Sequence, residues 1–265
     1  METQKIDWSG VKKLALKSVS TDVIVIRGTE EEKTIQYEGE APKIEKRNET
    51  LEISIKGVNS ILGGIFSFGS STDALKIEVP EDLEEISVSQ VSGDVDMKST
   101  SAEKIVLRSV SSDVKLDLVK CAKLETKTVS GDIHLVSPSV QHLVVTSVSG
   151  DIVFKNVTCE RHEWLITTVS GDVNIETVGV PSITLSFRSR SGDLSSNVGY
   201  TRDGKNYLFN DGKLKMTVNS TSGDVQITAT NRADRTDSIE KKILKLVADG
   251  KLSYEQAKEI IEELK

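Results

Sequence analysis

Eight aspartates carry the clearest chemical signal in this chain of 265 residues. Asp22, Asp94, Asp113, Asp132, Asp151, Asp172, Asp193 and Asp224 each close a copy of one motif, read as TVSGD at residues 128–132 and 168–172 and as SVSGD at 147–151. Carboxylates repeated in this way can serve two chemistries. A column of them could hold hard cations, which take several oxygen ligands. Alternatively, each could accept hydrogen bonds from turn N–H groups and nearby hydroxyls while the glycine supplies positive φ. One carboxylate per repeat is few ligands, and the paired glycines of a calcium-binding nonapeptide are absent. The expectation is a structural turn ladder.

Other reactive residue types form no constellation. His134, His142 and His162 lack a metal-ligand spacing, and neither a G-x-S-x-G elbow nor a phosphate loop occurs. Cys121 and Cys159 show no C-x-x-C spacing. No catalytic, cofactor-binding or metal-binding residue is predicted, and the chain reads as a non-enzyme. The rival readings are a peripheral membrane or envelope sensor and a carbohydrate-active enzyme on a β-helix scaffold. Carboxylates or basic residues facing a groove beside residues 197–212 would favour the enzyme.

The elements that must position the aspartates follow from their spacing. From Asp94 onward the intervals are 19, 19, 19, 21, 21 and 31 residues, the signature of stacked repeats. After six of the aspartates the pattern is apolar, variable, apolar: Val95 and Met97, Val114 and Leu116, Ile133 and Leu135, Ile152 and Phe154, Val173 and Ile175, Val225 and Ile227. These pairs are predicted to face inward. Before each turn, Leu107, Ser109 and Ser111, with Thr126, Thr128 and Ser130 and their counterparts, are assigned inward as well. That leaves Val110, Val129, Val148 and Val169 on the outer face. Ala102, Cys121, Val140, Cys159 and Val180 are expected to form one buried column. The two cysteines then sit two coils apart, beyond disulfide reach.

The fold class predicted is all-β: a two-sheeted, β-helix-like solenoid with coils of about 20 residues, plus a small C-terminal α-helical hairpin. Three parts are expected: irregular N-terminal coils and cap (1–93), regular repeats (94–236) and the hairpin (237–265). Helical spacing in the tail rests on Ile239, Ile243, Leu244 and Val247, then Ala257, Ile260, Ile261 and Leu264. So short a hairpin cannot bury a core alone, so it must dock on the solenoid, a copy of itself or another protein.

Composition narrows the partners. A net charge of -7 offers no basic footprint for nucleic acid, and no apolar stretch is long enough for a signal peptide or a membrane span. The expected location is the cytoplasm, although unconventional export would leave no mark in the sequence. Two segments are candidate interaction surfaces. Residues 57–71 carry Ile65, Phe66 and Phe68, suited to a membrane or envelope glycan surface or to capping the first coil. The long interval before Asp224 carries Tyr200, Tyr207 and Phe209.

The repeated VSGDV and VSGDI turns, led by ALKIEVPEDLEEISVSQVSGDV, resemble the bacterial "putative adhesin" domain of unknown function, a β-solenoid family, over roughly residues 10 to 230. The tail ILKLVADGKLSYEQAKEIIEEL resembles the SHOCT-like helical hairpins found at chain ends. The resemblance implies a non-catalytic binding or assembly scaffold. It also implies self-association or protein binding through 237–265 and a link to bacterial cell-envelope stress.

Overall fold

Alternating apolar residues, few aromatics and a turn every twenty or so residues produce strands, and the computed structural model shows only strands and turns among the residues it describes, 1–28, 33–55 and 74–230. The expected hairpin 237–265 lies outside them, as do residues 57–71 with Ile65, Phe66 and Phe68. Two sheets stack face to face, of eleven and twelve strands among the described residues. Each coil gives one strand to each sheet. In one coil Lys120–Lys127 lies in the twelve-stranded sheet and Ile133–Val136 in the eleven-stranded one, and both pair in parallel with their equivalents 19 residues on.

Leu124, Thr126, Ile133 and Leu135 of that coil are fully buried between the sheets. The six predicted apolar pairs are buried too, whereas Leu194 after Asp193 is only partly buried, and Trp164 stands in register with Leu143. At about 25 cal/mol per Å², this slab of Val, Ile and Leu is the main stabilising term. Both cysteines are free. Burial pushes the Cys121 thiol up to about 12.

Three features depart from the sequence reading. Ser111, Ser130, Ser149, Ser170 and Ser191 lie outside the core, because the inward run stops two residues earlier, at Thr128 or Ser147 in their coils. Val180 is exposed rather than in the buried column, since Gly179 (φ 74) turns the chain out before Pro181. Finally, the coils do not stack in chain order at either end. The last one, Leu214–Asn219 with Val225–Thr230, lies between the coil containing Glu163–Thr167 and that containing Ile183–Arg188. At the other end Lys13–Ser20 and Asp22–Arg27 stack directly on Leu83–Ser92 and Val95–Lys98, and the coil of Thr50–Ser54 and Ala74–Val79 lies outside them.

Antiparallel strands cover much of these ends. Lys33–Glu38 and Glu2–Ile6 extend the eleven-stranded sheet beyond Ala74–Val79, while Lys43–Arg47 closes the other sheet. At the far end Asn206–Phe209 and Thr201–Asp203 extend the twelve-stranded sheet. There, among the described residues, the eleven-stranded sheet ends with the short strand Leu194–Ser196.

Candidate functional site

The corner that carries the aspartates is built from four residues, each with its own task. The valine backbone carbonyl accepts the serine N–H of the next coil: Ser130 to Val110 at 2.9 Å, Ser149 to Val129 at 3.0 Å, Ser170 to Val148 at 2.9 Å. Thr128 Oγ1 and Ser147 Oγ, tucked under the corner, donate to the carbonyls of Ser130 and Ser149 at 2.8 and 3.1 Å. Glycine is needed because coils touch here. At Gly150 (φ 112) an added Cβ would lie 2.2 Å from the carbonyl oxygen of Gly131.

Asp then ties coil to coil. The N–H of Asp151 donates to Oδ1 of Asp132 at 2.8 Å, and that of Asp132 to Oδ1 of Asp113, also at 2.8 Å. The same bond joins Asp94 to Asp22, Asp113 to Asp94, Asp172 to Asp151, Asp224 to Asp172 and Asp193 to Asp224. All eight aspartates therefore stand in one ladder, in spatial rather than sequence order. Ala74 occupies the register position beyond Asp22. A charge-assisted bond to a backbone N–H in each step offsets the repulsion between neighbouring carboxylates. Among the described residues no group of three or more His, Cys, Asp or Glu side chains converges as a metal cluster.

Two copies lack glycine, with Thr21 before Asp22 and Ser112 before Asp113, and the second has its own solution. Ser112 is buried, accepts from Gln90 Nε2 at 2.9 Å and also bonds Ser109 Oγ.

Outward from the ladder runs an apolar column that sequence reading located only in part. Val19, Val91, Val110, Val129, Val148 and Val169 are each 40–49% exposed on consecutive coils. At roughly 4.8 Å per coil the column is about 24 Å long. Thr221 and Arg190 take the place of valine in the last two coils.

Two cavities are lined in part by residues 187–215. One, of about 630 Å³, is lined by Arg161, His162, Glu163, Asp211, Lys213 and Lys215. Its carboxylates are committed: Lys213 lies 3.2 Å from Asp211 and Lys215 lies 3.8 Å from Glu163. The Ser182 hydroxyl, with Lys213, holds the Asp211 carboxyl below its usual range, the opposite of what a general acid needs. The other cavity, of about 220 Å³, is lined by Arg188, Arg202 and Lys205 with the single carboxylate of Asp193. Basic residues do face a groove beside residues 197–212, as the carbohydrate-active alternative asked. The paired carboxylates of glycoside hydrolysis do not accompany them, and the groove suits an anion. The aromatic residues form a plug: Tyr200 packs on Tyr207 and Phe209 at 5.4 and 5.2 Å between ring centroids. Phe209 is fully buried and Tyr207 nearly so, which leaves Tyr200 as the accessible member.

A family model described as Toastrack DUF4097 matches residues 11–163 and 128–228. The chain belongs to the Toastrack DUF4097 family. Outside that region a SHOCT-like domain model matches residues 240–265. Among solved structures, the Toastrack chain is similar to a "putative adhesin" from Bacteroides fragilis, with 15% identity, 85% of this chain and 96% of that one covered, and a TM-score of 0.50. It is also similar to a "putative cell adhesion protein" from Clostridium sporogenes, with 18% identity, coverage of 86% and 98%, and a TM-score of 0.38. A "putative adhesin" from Parabacteroides distasonis matches at 16% identity, with coverage of 86% and 96% and a TM-score of 0.47. No curated protein matches the chain significantly.

Proposed function

We propose that this Toastrack chain is a non-catalytic, adhesin-like binding and assembly scaffold in which residues 237–265 are the joining element. The observation that carries this reading is the valine column. Six exposed valines in line on a hydrogen-bonded corner form a straight apolar ridge, the kind of contiguous exposed apolar feature that marks interaction surfaces. The ladder aspartates, engaged in coil-to-coil bonds, support a structural rather than chemical role for the repeat.

On this reading residues 1–93 close one end of a solenoid, residues 94–236 form its repeating frame, and 237–265 form a helical hairpin that joins copies or partners. The location proposed is the cytoplasm, with action at the envelope through a protein partner or through residues 57–71. A link to cell-envelope stress is part of the same proposal.

Sedimentation of the full-length chain against a version ending at Asp234 tests the joining role. A larger assembly for the full-length chain is expected. Identical masses together with identical stability would overturn it.

A further inference from the structure

We infer that the open edge at Leu194–Ser196 is a docking site for an extended, acidic peptide, which would add there as one more parallel strand of the eleven-stranded sheet. The site goes beyond the joining role of residues 237–265 and does not depend on it.

The two sheets end differently on this side. Among the described residues, the twelve-stranded sheet continues past Ile183–Arg188 by two strands, Asn206–Phe209 and Thr201–Asp203, whereas the eleven-stranded sheet stops at Leu194–Ser196. The hairpin therefore overhangs a missing strand position, and the cavity of about 220 Å³ lies there, between Gly192, Asp193 and Leu194 on one side and Arg202, Lys205 and Tyr207 on the other.

The ladder specifies what would fit. At each step one coil donates its Asp N–H to the Asp Oδ1 of the coil before, and its Asp carbonyl accepts the N–H that follows that earlier Asp. Between the last two coils these are Asp193 N–H to Asp224 Oδ1 and Val225 N–H to the Asp193 carbonyl, both 2.9 Å. Asp193 is the outermost rung: its own carboxylate receives no N–H from any described residue. In the same alternation the Leu194 N–H points to the open edge. An incoming strand would donate one N–H to Asp193 Oδ1 and accept the Leu194 N–H on its carbonyl, which fixes both its direction and its register.

Charge specifies the side chains. Arg188, Arg202 and Lys205 line the cavity against the one carboxylate of Asp193, in a protein of net charge -7. Arg202 is already positioned: its guanidinium lies 5.2 Å from the Tyr207 ring centroid and its Nε donates to the Gly204 carbonyl at 3.0 Å. A Glu or Asp side chain, or a C-terminal carboxylate, beside these cations would form charge-assisted bonds.

The test uses the full-length chain and a labelled, end-blocked peptide of alternating Val and Glu, read by fluorescence anisotropy, with a Val and Lys peptide as control. Saturable binding of the Glu peptide alone is expected. It should weaken roughly tenfold or more in Arg202→Glu and with rising salt. N-methylation of the peptide backbone should abolish binding to the wild-type chain, whose folding is not then in question, and hydrogen exchange at Leu194 should slow when the unmethylated peptide binds. Equal binding of both peptides, or none of either, would overturn the proposal. Binding of the Glu peptide only to the chain ending at Asp234 would overturn it as well, by showing that the chain's own tail takes the site.

Discussion

The backbone N–H of Asp224 donates to the Oδ1 of Asp172 at 2.9 Å across 52 residues of sequence. Asp193, which lies between them in the chain, is the next rung outward from Asp224. The repeat is thus defined by coil contact, and the energetic role of each residue type can be tested one rung at a time.

Gly150→Ala should be strongly damaging at its corner. The new Cβ would sit 2.2 Å from the Gly131 carbonyl oxygen, and neither backbone can move without parting the ladder. A loss of about 3 kcal/mol or more is expected in denaturant unfolding. Gly204→Ala, also at positive φ (59) but with nothing within 4 Å of the new atom, should cost only about 1 kcal/mol.

Asp132→Ala removes the acceptor of the Asp151 N–H, and a loss of about 1–3 kcal/mol is expected by the same measurement. Asp132→Asn keeps an oxygen at that place and relieves repulsion from neighbouring carboxylates, so it should leave stability within about 0.5 kcal/mol or raise it. A cation-binding column would give the reverse. Asp132→Asn would then destabilise the protein in calcium, and calcium would raise the melting temperature of the parent chain.

At the opposite corner Ser99, Leu118, Ser137 and Asn156 all have positive φ, 49–57°. Leu118 is the one bulky side chain of this set, and it is 57% exposed. Leu118→Asn should therefore stabilise the protein by about 0.5–1 kcal/mol, seen as a higher melting temperature. A lower one would show that the leucine makes a contact worth more than its strain.

Asp7 offers a pH test. The Ser9 hydroxyl and N–H, at 2.6 and 2.9 Å, and then Lys46, hold its carboxyl down at about 2. A depressed carboxylate contributes stability above its unfolded value, near 3.9, and that contribution is lost as pH falls toward 2. NMR titration should place the Asp7 midpoint near 2, and Ser9→Ala should raise it. An unchanged midpoint in that variant would refute the assignment.

The sequence was most legible where one residue answers one neighbour. Ile133 and Leu135 alternate inward because a strand leaves them no other face, and Trp164, in register with Leu143, follows the same two-residue alternation with Ile166. The serine that ends each triad departs from the two-residue period because it sits in a turn, where Ser130 and Ser149 donate toward the valine carbonyls of the coil before. The order of the end coils was illegible for a different reason. Asp193 and Asp224 carry the same motif, and nothing local to either distinguishes which one stacks on Asp172. The choice is made by the hairpin at Asn206–Phe209, which pairs with Ile183–Arg188 and so occupies its other side.

The inward placement of the final coil bears on how the protein can be made. A ribosome delivers residues 183–196 before 214–230, so the earlier segment emerges with its eventual neighbour not yet synthesised. It can reach its native place only when the later one arrives to fill the gap beside 163–178. Unlike an array that can be shortened from its end one repeat at a time, this chain cannot lose its last coil without stranding the coil before it. Termination before residue 214 therefore disables two layers of the frame.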